Sequence, residues 1–494
     1  MNAPISRIPT FRKIFRAVCN WRIARRVLLT LAVSFTLVAV FYAEEDWRGQ
    51  RAWDAYRAEL VAQGVPMSFE QLQPPAMPDD QNFALTPLIQ SLLSETRFAA
   101  ESQMEDGLRW RLVTPNGDKV QEWYYSLYSR SAKSQGLKAK MDALRKIIGQ
   151  QDLVQAMSKF SPVLDEFTAA SRLPAARYPI ADDLSNFGSL PNMIFLDLRP
   201  IYFIRALAEL DQEQTQNAAD DISTVFRLAN LISSQFTVTS QLVALAMCED
   251  ALQPLREGLA KHRWSDAQLA QLQADLQKHD FIADLQRSFQ AERIYWSRMC
   301  EPDSISNIME FTLGNPDQQQ FGLDWLRLVT RLIPRGWVRQ NQIVFNQEHL
   351  KLVSYLDPVR HTVDVASLLA DSKTWPNLTR TPYNFFGLIM FSNLYKISQN
   401  AVTALASVDE AQVACAIERY RLVNGQLPAK LDDLAPQFIT KVPNDVFSGG
   451  PLHYQPGVDG HFLLYEVGLN GRDDGGKDDE KNGHDDVVWP DTGN

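Results

Sequence analysis

The run Val27 to Ala43 does most to limit what this chain can become: it reads VLLTLAVSFTLVAVFYA and holds no charge. As a helix rising about 1.5 Å per residue it reaches about 25 Å, enough for a short membrane span. Seven basic residues and no acid fill residues 1–26, while Glu44, Glu45 and Asp46 follow the run. The positive-inside rule therefore puts residues 1–26 in the cytoplasm and the chain beyond 43 on the exported side. A cleaved signal peptide is the competing reading. Cutting after Ala43 would place bulky Phe41 at the −3 position, where a small residue is wanted. An uncleaved single-pass anchor over 27–43 is the expectation. Trp53, Tyr56 and Leu60 fall on one helix face, so the helix is expected to continue past the membrane.

The net charge of −10 over 494 residues gives nucleic-acid binding no electrostatic support. Half of that charge lies in residues 468–494, where seven Asp and one Glu face Arg472, Lys477 and Lys481. An apolar share of 45 % is ordinary for a protein with a packed core. Cys19, Cys248, Cys300 and Cys415 lie far apart and show no zinc spacing. Cys248 and Cys415 fall inside apolar helical patterns and are expected to be buried small hydrophobes; one disulfide among the exported three is the alternative.

Residues 44–82 are expected to hold a membrane-proximal helix and a proline-rich link, QPPAMPDDQN at 73–82. From 83 to 383 the periodicity is mostly helical, an exported body. Phe195, Leu198, Ile204 and Leu207 line one stripe, with Pro200 as an expected kink. Ile222, Val225, Phe226 and Leu231 form a second stripe, and Leu245, Leu252, Leu255 and Leu259 a third. Ser265 with Gln268 is a capping-box pattern opening a helix with Leu269, Leu272 and Leu276. The fold class read from this is mainly α, an irregular helical bundle or partial helical solenoid. Arg205 to Ile232 faintly resembles a tetratricopeptide helix pair, with no second copy at the expected spacing.

The body carries no HExxH, GxSxG, P-loop or dinucleotide fingerprint. His361 and Asp364 at i, i+3 would share a helix face and could orient an imidazole, though a surface contact is the plainer reading. Glu292 and Arg293 read as a solvated face or a structural ion pair rather than an acid–base unit.

Residues 384–494 read as a small α+β module. One proline-free helix over 384–424, very apolar at FFGLIMF, ends at Asn424-Gly425. The uncharged stretch 381–395 is short for a second span and reads as a buried core helix. A short helical turn over Ala429–Leu434 follows, then strands Leu452–Gln455 and His461–Val467 joined by a hairpin loop at 456–460, and a last strand over Asp486–Trp489.

Between helix and sheet the chain has Tyr420-Arg421, Gly425, Pro428, Leu431 and Leu434, then Val442-Pro443-Asn444-Asp445. At the end it has Val467-Gly468-Leu469-Asn470-Gly471, and later Asp485-Asp486-Val487-Val488-Trp489. In these residues the C-terminal fifth resembles the major pseudopilin of type II secretion systems. The whole chain is also similar to uncharacterised bacterial membrane-anchored helical proteins. The pseudopilin resemblance implies one calcium ion held in the final loop. Asn470 stands where that family has Asp, and the insert from Arg472 to His484 is long and acidic. The ligands it implies are Asp485 and Asp486, Asp473 or Asp474 in place of the family's first Asp, the Val467 carbonyl, and the Asn470 amide oxygen. Clustered aspartates repel one another without a cation, and calcium takes six to eight oxygens, which supports the same expectation physically. A solvated acidic tail is the plain alternative. Residues 1–45 lack the glycine-ended leader, following Phe and fifth-position Glu of a pilin, so an ordinary pilus subunit is not expected.

Three functions remain in view. One is a structural or interaction protein anchored in a bacterial inner membrane, its bulk periplasmic, with envelope or secretion-system proteins as partners. Another is an extracytoplasmic enzyme with a site assembled from distant residues. The third is a working pseudopilin subunit. A deep pocket with clustered titratable groups would favour the enzyme.

Overall fold

In a computed structural model, the described residues are 21–91, 137–148, 152–178, 190–301, 332–457, 460–479 and 484–489. The chain is mainly helical, with one long apolar N-terminal helix and a small C-terminal antiparallel sheet. It forms two compact units, both assembled from separated segments. The first takes residues Met1–Val65, Trp296–Asn346 and Arg380–Gly387, and the second takes Pro66–Tyr295, Gln347–Thr379 and Leu388–Asn494.

In the first unit, helix α1 runs unbroken over Trp21–Ala62. Among the described helices it is the one long and apolar enough to cross a membrane. Every large apolar side chain of the run, from Val27 to Phe41, is exposed. Past the run the same helix turns a face inward: Glu45, Gly49, Trp53 and Leu60 are buried. The expected continuation through Trp53 and Leu60 is thus present. By length and composition the apolar half suits an anchor or a signal sequence.

Further helices are α2 (Leu137–Ile148), α3 (Leu153–Met157) and α4 (Ser161–Ala170). The central part of the second unit is α5 (Leu190–Asp211), α6 (Thr215–Ser233) and α7 (Val238–Ala260), which pack on one another, with α8 (Asp266–Leu276) against α6. The helix ends follow the sequence signals. Ser265 and Gln268 close the expected capping box on α8. Thr237 caps α7 through the Ser240 amide. α5 runs through Pro200. Buried ion pairs stitch the helices: Arg199 to Asp250 at 2.8 Å, Arg205 to Asp221, and Arg227 to Asp275 at 3.1 Å. Removing one partner of such a pair leaves a buried charge and costs far more than the pair contributes.

Then come α9 (Phe281–Met299), α10 (Arg335–Ser354), a two-stranded hairpin of β1 (Leu356–Asp357) and β2 (Thr362–Val363), and α11 (Val365–Thr374). Two sequence expectations are corrected here. His361 and Asp364 share no helix: His361 sits at φ +57° in the β1–β2 turn, and Asp364 caps α11 through the Ser367 amide. Arg293 on α9 is not on a solvated face. It is wholly buried and donates to the Pro66 carbonyl and to Gln290 Oε1.

α12 spans Phe385–Asn424 and stops at Gly425, whose φ of +71° an L side chain adopts only at a cost. Ala401, Val402, Ala406, Ala411, Val413, Ala414 and Ile417 are buried, so much of its circumference is core. Side chains of 386 and 388–393, where a second span was weighed, lie outside the described residues. The sheet that follows is β3 (His453–Pro456), β4 (Phe462–Glu466) and β7 (Val487–Val488), all antiparallel, with β4 central. Tyr454 faces Leu464 across one pair and Tyr465 faces Val488 across the other. A small second ladder, β5 (Asp478–Asp479) with β6 (His484–Asp485), forms within the acidic insert. Residues 458–459 of the hairpin loop and 480–483 of the insert lie outside the described residues. Cys248, Cys300 and Cys415 are free and buried; Cys19 is outside the described residues.

Candidate functional site

Two groups of titratable residues, both in the second unit, flank strand β4. One is the acidic loop that the sequence singled out; the other is a buried cluster behind it.

The loop folds back so that its acids lie on each other's backbone amides. Asn470 N–H donates to Asp485 Oδ2 at 3.0 Å, and its side-chain amide donates to Asp474 Oδ2 at 2.9 Å. The Asp485 amide also points at Asp474 Oδ2, at 3.3 Å. Asn470, Asp474 and Asp485 thus meet. Asp486 is buried beside them and accepts from the amides of Asp474 at 3.1 Å and Gly476 at 2.8 Å. Asp473 turns the other way: its Oδ1 accepts from the Gly475 amide and the Tyr465 hydroxyl, which hold it below the ordinary carboxylate value. Val467 is buried, and its amide donates to Asp445 Oδ2 at 2.8 Å.

Carboxylate oxygens are the donors a hard divalent cation takes, but the Asn470 side chain turns its nitrogen, not its oxygen, toward Asp474. The arrangement is one of carboxylates held by N–H donors. Among the described residues no group of three or more His, Cys, Asp and Glu side chains stands as a metal cage. The Asn470 amide oxygen accepts from the Arg472 amide at 2.6 Å. A cation in this loop would have to draw oxygens from these amides.

The second group was not singled out by the sequence. Asp409 and Glu410 sit side by side on α12, Glu466 ends β4 and Asp445 precedes the sheet, and all four are buried. Asp445 fixes a turn and ties it to the strand end, since it accepts from the amides of Phe447, Ser448 and Val467, each at 2.8 Å. Glu466 Oε2 accepts from the Val446 amide at 2.7 Å. Neither Glu410 oxygen closes a hydrogen bond among the described residues. Burial pushes the Glu410 carboxyl well above its ordinary value, opposed by the Arg256 guanidinium and reinforced by Asp409 and Glu249. Arg256, on α7, lies over the Trp489 ring at 4.9 Å, which seats the last strand against the body.

His361 completes this cluster. Its Nε2 meets Asp409 Oδ2 at 2.7 Å. Burial opposes an imidazolium there, but the hydrogen bond and the charge of Asp409 outweigh it, and the imidazole is held above its ordinary value. Beside this hairpin opens a cleft of about 660 Å³, lined among others by Tyr355, Arg360, Asp364, Lys441 and Ser448. Among the described residues His361 meets no hydroxyl, and it does not line the cleft.

The periodicity reading passed over Asp409, Glu410 and Glu466 because each sits in an apolar pattern and is spaced like a core residue. Asp409-Glu410 inside a buried alanine-rich helix was the available signal, since two adjacent acids there need partners. Comparison with known proteins adds nothing to this geometry: no protein-family model, no curated protein and no solved structure matches the chain.

Proposed function

We propose that the chain is an exported, membrane-anchored structural or interaction protein with a pseudopilin-like, calcium-stiffened C-terminal module. The observation that carries this reading is the behaviour of α1. Its apolar stretch is bare from Val27 to Val40, yet the same helix continues without a break into a packed and partly buried segment. A helix of about 63 Å, half bare and half clasped, suits an anchor joined rigidly to what it holds.

The helical body is an irregular bundle in this reading, offering surface to envelope or secretion-system partners. The C-terminal order of long helix, short helical turn and antiparallel sheet is compatible with a pilin-like end. Convergence of Asn470, Asp474, Asp485 and Asp486 supports calcium as the ion. An alternative, an extracytoplasmic enzyme, is favoured by the His361–Asp409 pair beside the cleft; it lacks a partnered nucleophile among the described residues.

Two measurements test the proposal. Alkaline phosphatase fused after Asn494 is expected to be active, with the mature N-terminus intact; a mature chain starting near Glu44 would remove the anchor. Thermal melting of the detergent-solubilised full chain is expected to show a higher midpoint with calcium than with chelator, because a ligand bound only by the folded state stabilises it. Equal midpoints, or an Asp485→Ala, Asp486→Ala double variant that keeps the full calcium shift, would remove the ion from the proposal.

A further inference from the structure

The first unit is built where α1 leaves its apolar run, and the chain that returns to α1 does so at a fixed height. Tyr42, the penultimate residue of the run, donates its hydroxyl to the Leu332 carbonyl at 2.5 Å. One residue earlier, the Phe41 ring meets Trp337 edge-on at 6.1 Å. Just past the run, Glu45 is gripped from three sides: by Trp337 Nε1 at 2.9 Å, by Arg48 at 2.7 Å and by the Tyr383 hydroxyl at 3.3 Å. The Gly336 amide donates to Asp46 Oδ1 at 2.9 Å. Gly336 also lies so close that a Cβ built on it would fall 1.8 Å from the Glu45 carbonyl oxygen. The segment Leu332–Trp337 is therefore pinned to the level of Phe41–Asp46 and cannot slide along α1.

The sequence of α1 sets where that level lies in a bilayer. Phe41 to Asp46 spans about 8 Å of helix. It runs from the last apolar residues to the first charges, which matches the layer between hydrocarbon and water, several ångströms thick on each face. Whatever is pinned there shares that layer. The side chains presented there suit it. Leu332 is 62 % exposed, Trp47 59 % and Phe385, two residues on from Tyr383, 39 %. Arg335 and Arg380 belong to the same returning segments and match the phosphates of lipid headgroups in charge. Tryptophan, tyrosine and arginine at one level are what an interfacial belt is made of.

We propose that Leu332–Trp337, with Phe385 at the start of α12, is a second membrane contact that dips into the headgroup layer of the exported-side leaflet beside the anchor. The inference rests on reading α1 as a membrane helix. It adds that the first unit touches the bilayer through more than α1 alone.

The test uses the full chain with Cys19→Ser, reconstituted in vesicles of phosphatidylcholine and phosphatidylglycerol. A polarity-sensitive fluorophore is placed singly at Leu332→Cys, at Phe385→Cys, at Leu37→Cys in the apolar run, and at Val61→Cys. Val61 is exposed and lies on α1, about 27 Å past Ala43. Quenching is read with a lipid carrying a nitroxide near its headgroup at Leu332, Phe385 and Val61, and with one carrying it deep on its acyl chain at Leu37. Leu332 and Phe385 are expected to be quenched at least about twofold more than Val61, with blue-shifted emission. Leu332 and Phe385 behaving like Val61 while Leu37 is quenched would overturn the inference and leave the anchor standing. No quenching at Leu37 would overturn the anchor, and this contact with it.

Discussion

At the scale of single residues, His361 shows how a small sequence signal was assigned to the wrong neighbour. Spacing alone paired it with Asp364, on the assumption of a helix. The chain instead turns there with a left-handed backbone, and the partner is Asp409, far away in sequence. Short hairpins of two-residue strands leave almost no periodicity to read, so this partner was out of reach. Asp409→Asn is expected to lower the His361 pKa, measured by NMR titration of the imidazole. With the carboxylate gone, burial and the charge of Lys441 disfavour the charged ring against Asp280 alone. A raised value that survives the substitution would mean that another group supplies the shift, Asp280 being an acid whose charge also raises it. The loop acids were legible as a group because they are a dense run. Which of them face one another was not, since that depends on where the backbone turns at Asn470 and Gly475.

At the scale of elements, the helices were the most legible part. α6, α7 and α8 carry apolar stripes, α7 and α8 with side-chain caps besides, and the long α12 announces itself by lacking proline and ending at Gly425. Strands β3, β4 and β7 were also expected within a residue or two at most ends. The β5–β6 ladder was not expected, because its residues are acidic and favour no strand. The crossing of α1 with α10 was equally hidden. It depends on two glycines, Gly49 and Gly336, whose backbones come so close that a Cβ on Gly49 would fall 2.3 Å from the Gly336 Cα. Gly336→Ala is expected to force these elements apart, at about 1–3 kcal/mol for an overpacked contact. Limited proteolysis of the vesicle-bound protein should then cut faster within α10. An unchanged cleavage rate would show that the crossing tolerates a methyl group.

At the scale of the whole molecule, buried carboxyls set the response to pH. Burial, helped by Asp221, pushes the Glu209 carboxyl up to about 8, and burial lifts Glu410 as well. A group whose folded value is raised contributes stability that is present below its unfolded value and is lost as pH rises through the folded one. His279 works in the opposite sense. Burial beside Phe281 lowers it to about 4, so its contribution is present above the ordinary imidazole value of 6.5 and lost as pH falls. Above pH 6.5 the His279 contribution is complete, and the raised groups decide, the carboxyls together with His361, whose contribution is also lost as pH rises. The melting temperature is therefore expected to fall between pH 6.5 and 8, and Glu209→Gln to flatten that fall. A midpoint that rises across this interval would contradict the assignment.

The first unit draws on three stretches of chain, and the contact between Tyr42 and Leu332 joins residues 290 positions apart. Synthesis proceeds at about 5–20 residues per second, so Leu332 emerges some 15 to 60 seconds after Tyr42. For that interval the flank of α1 around Glu45 and Gly49 has no returning chain to close on. α1 thus forms early and waits for its clasp. A helper that shields Glu45 or Gly49 while the chain is being made would have that window, and no longer, in which to act.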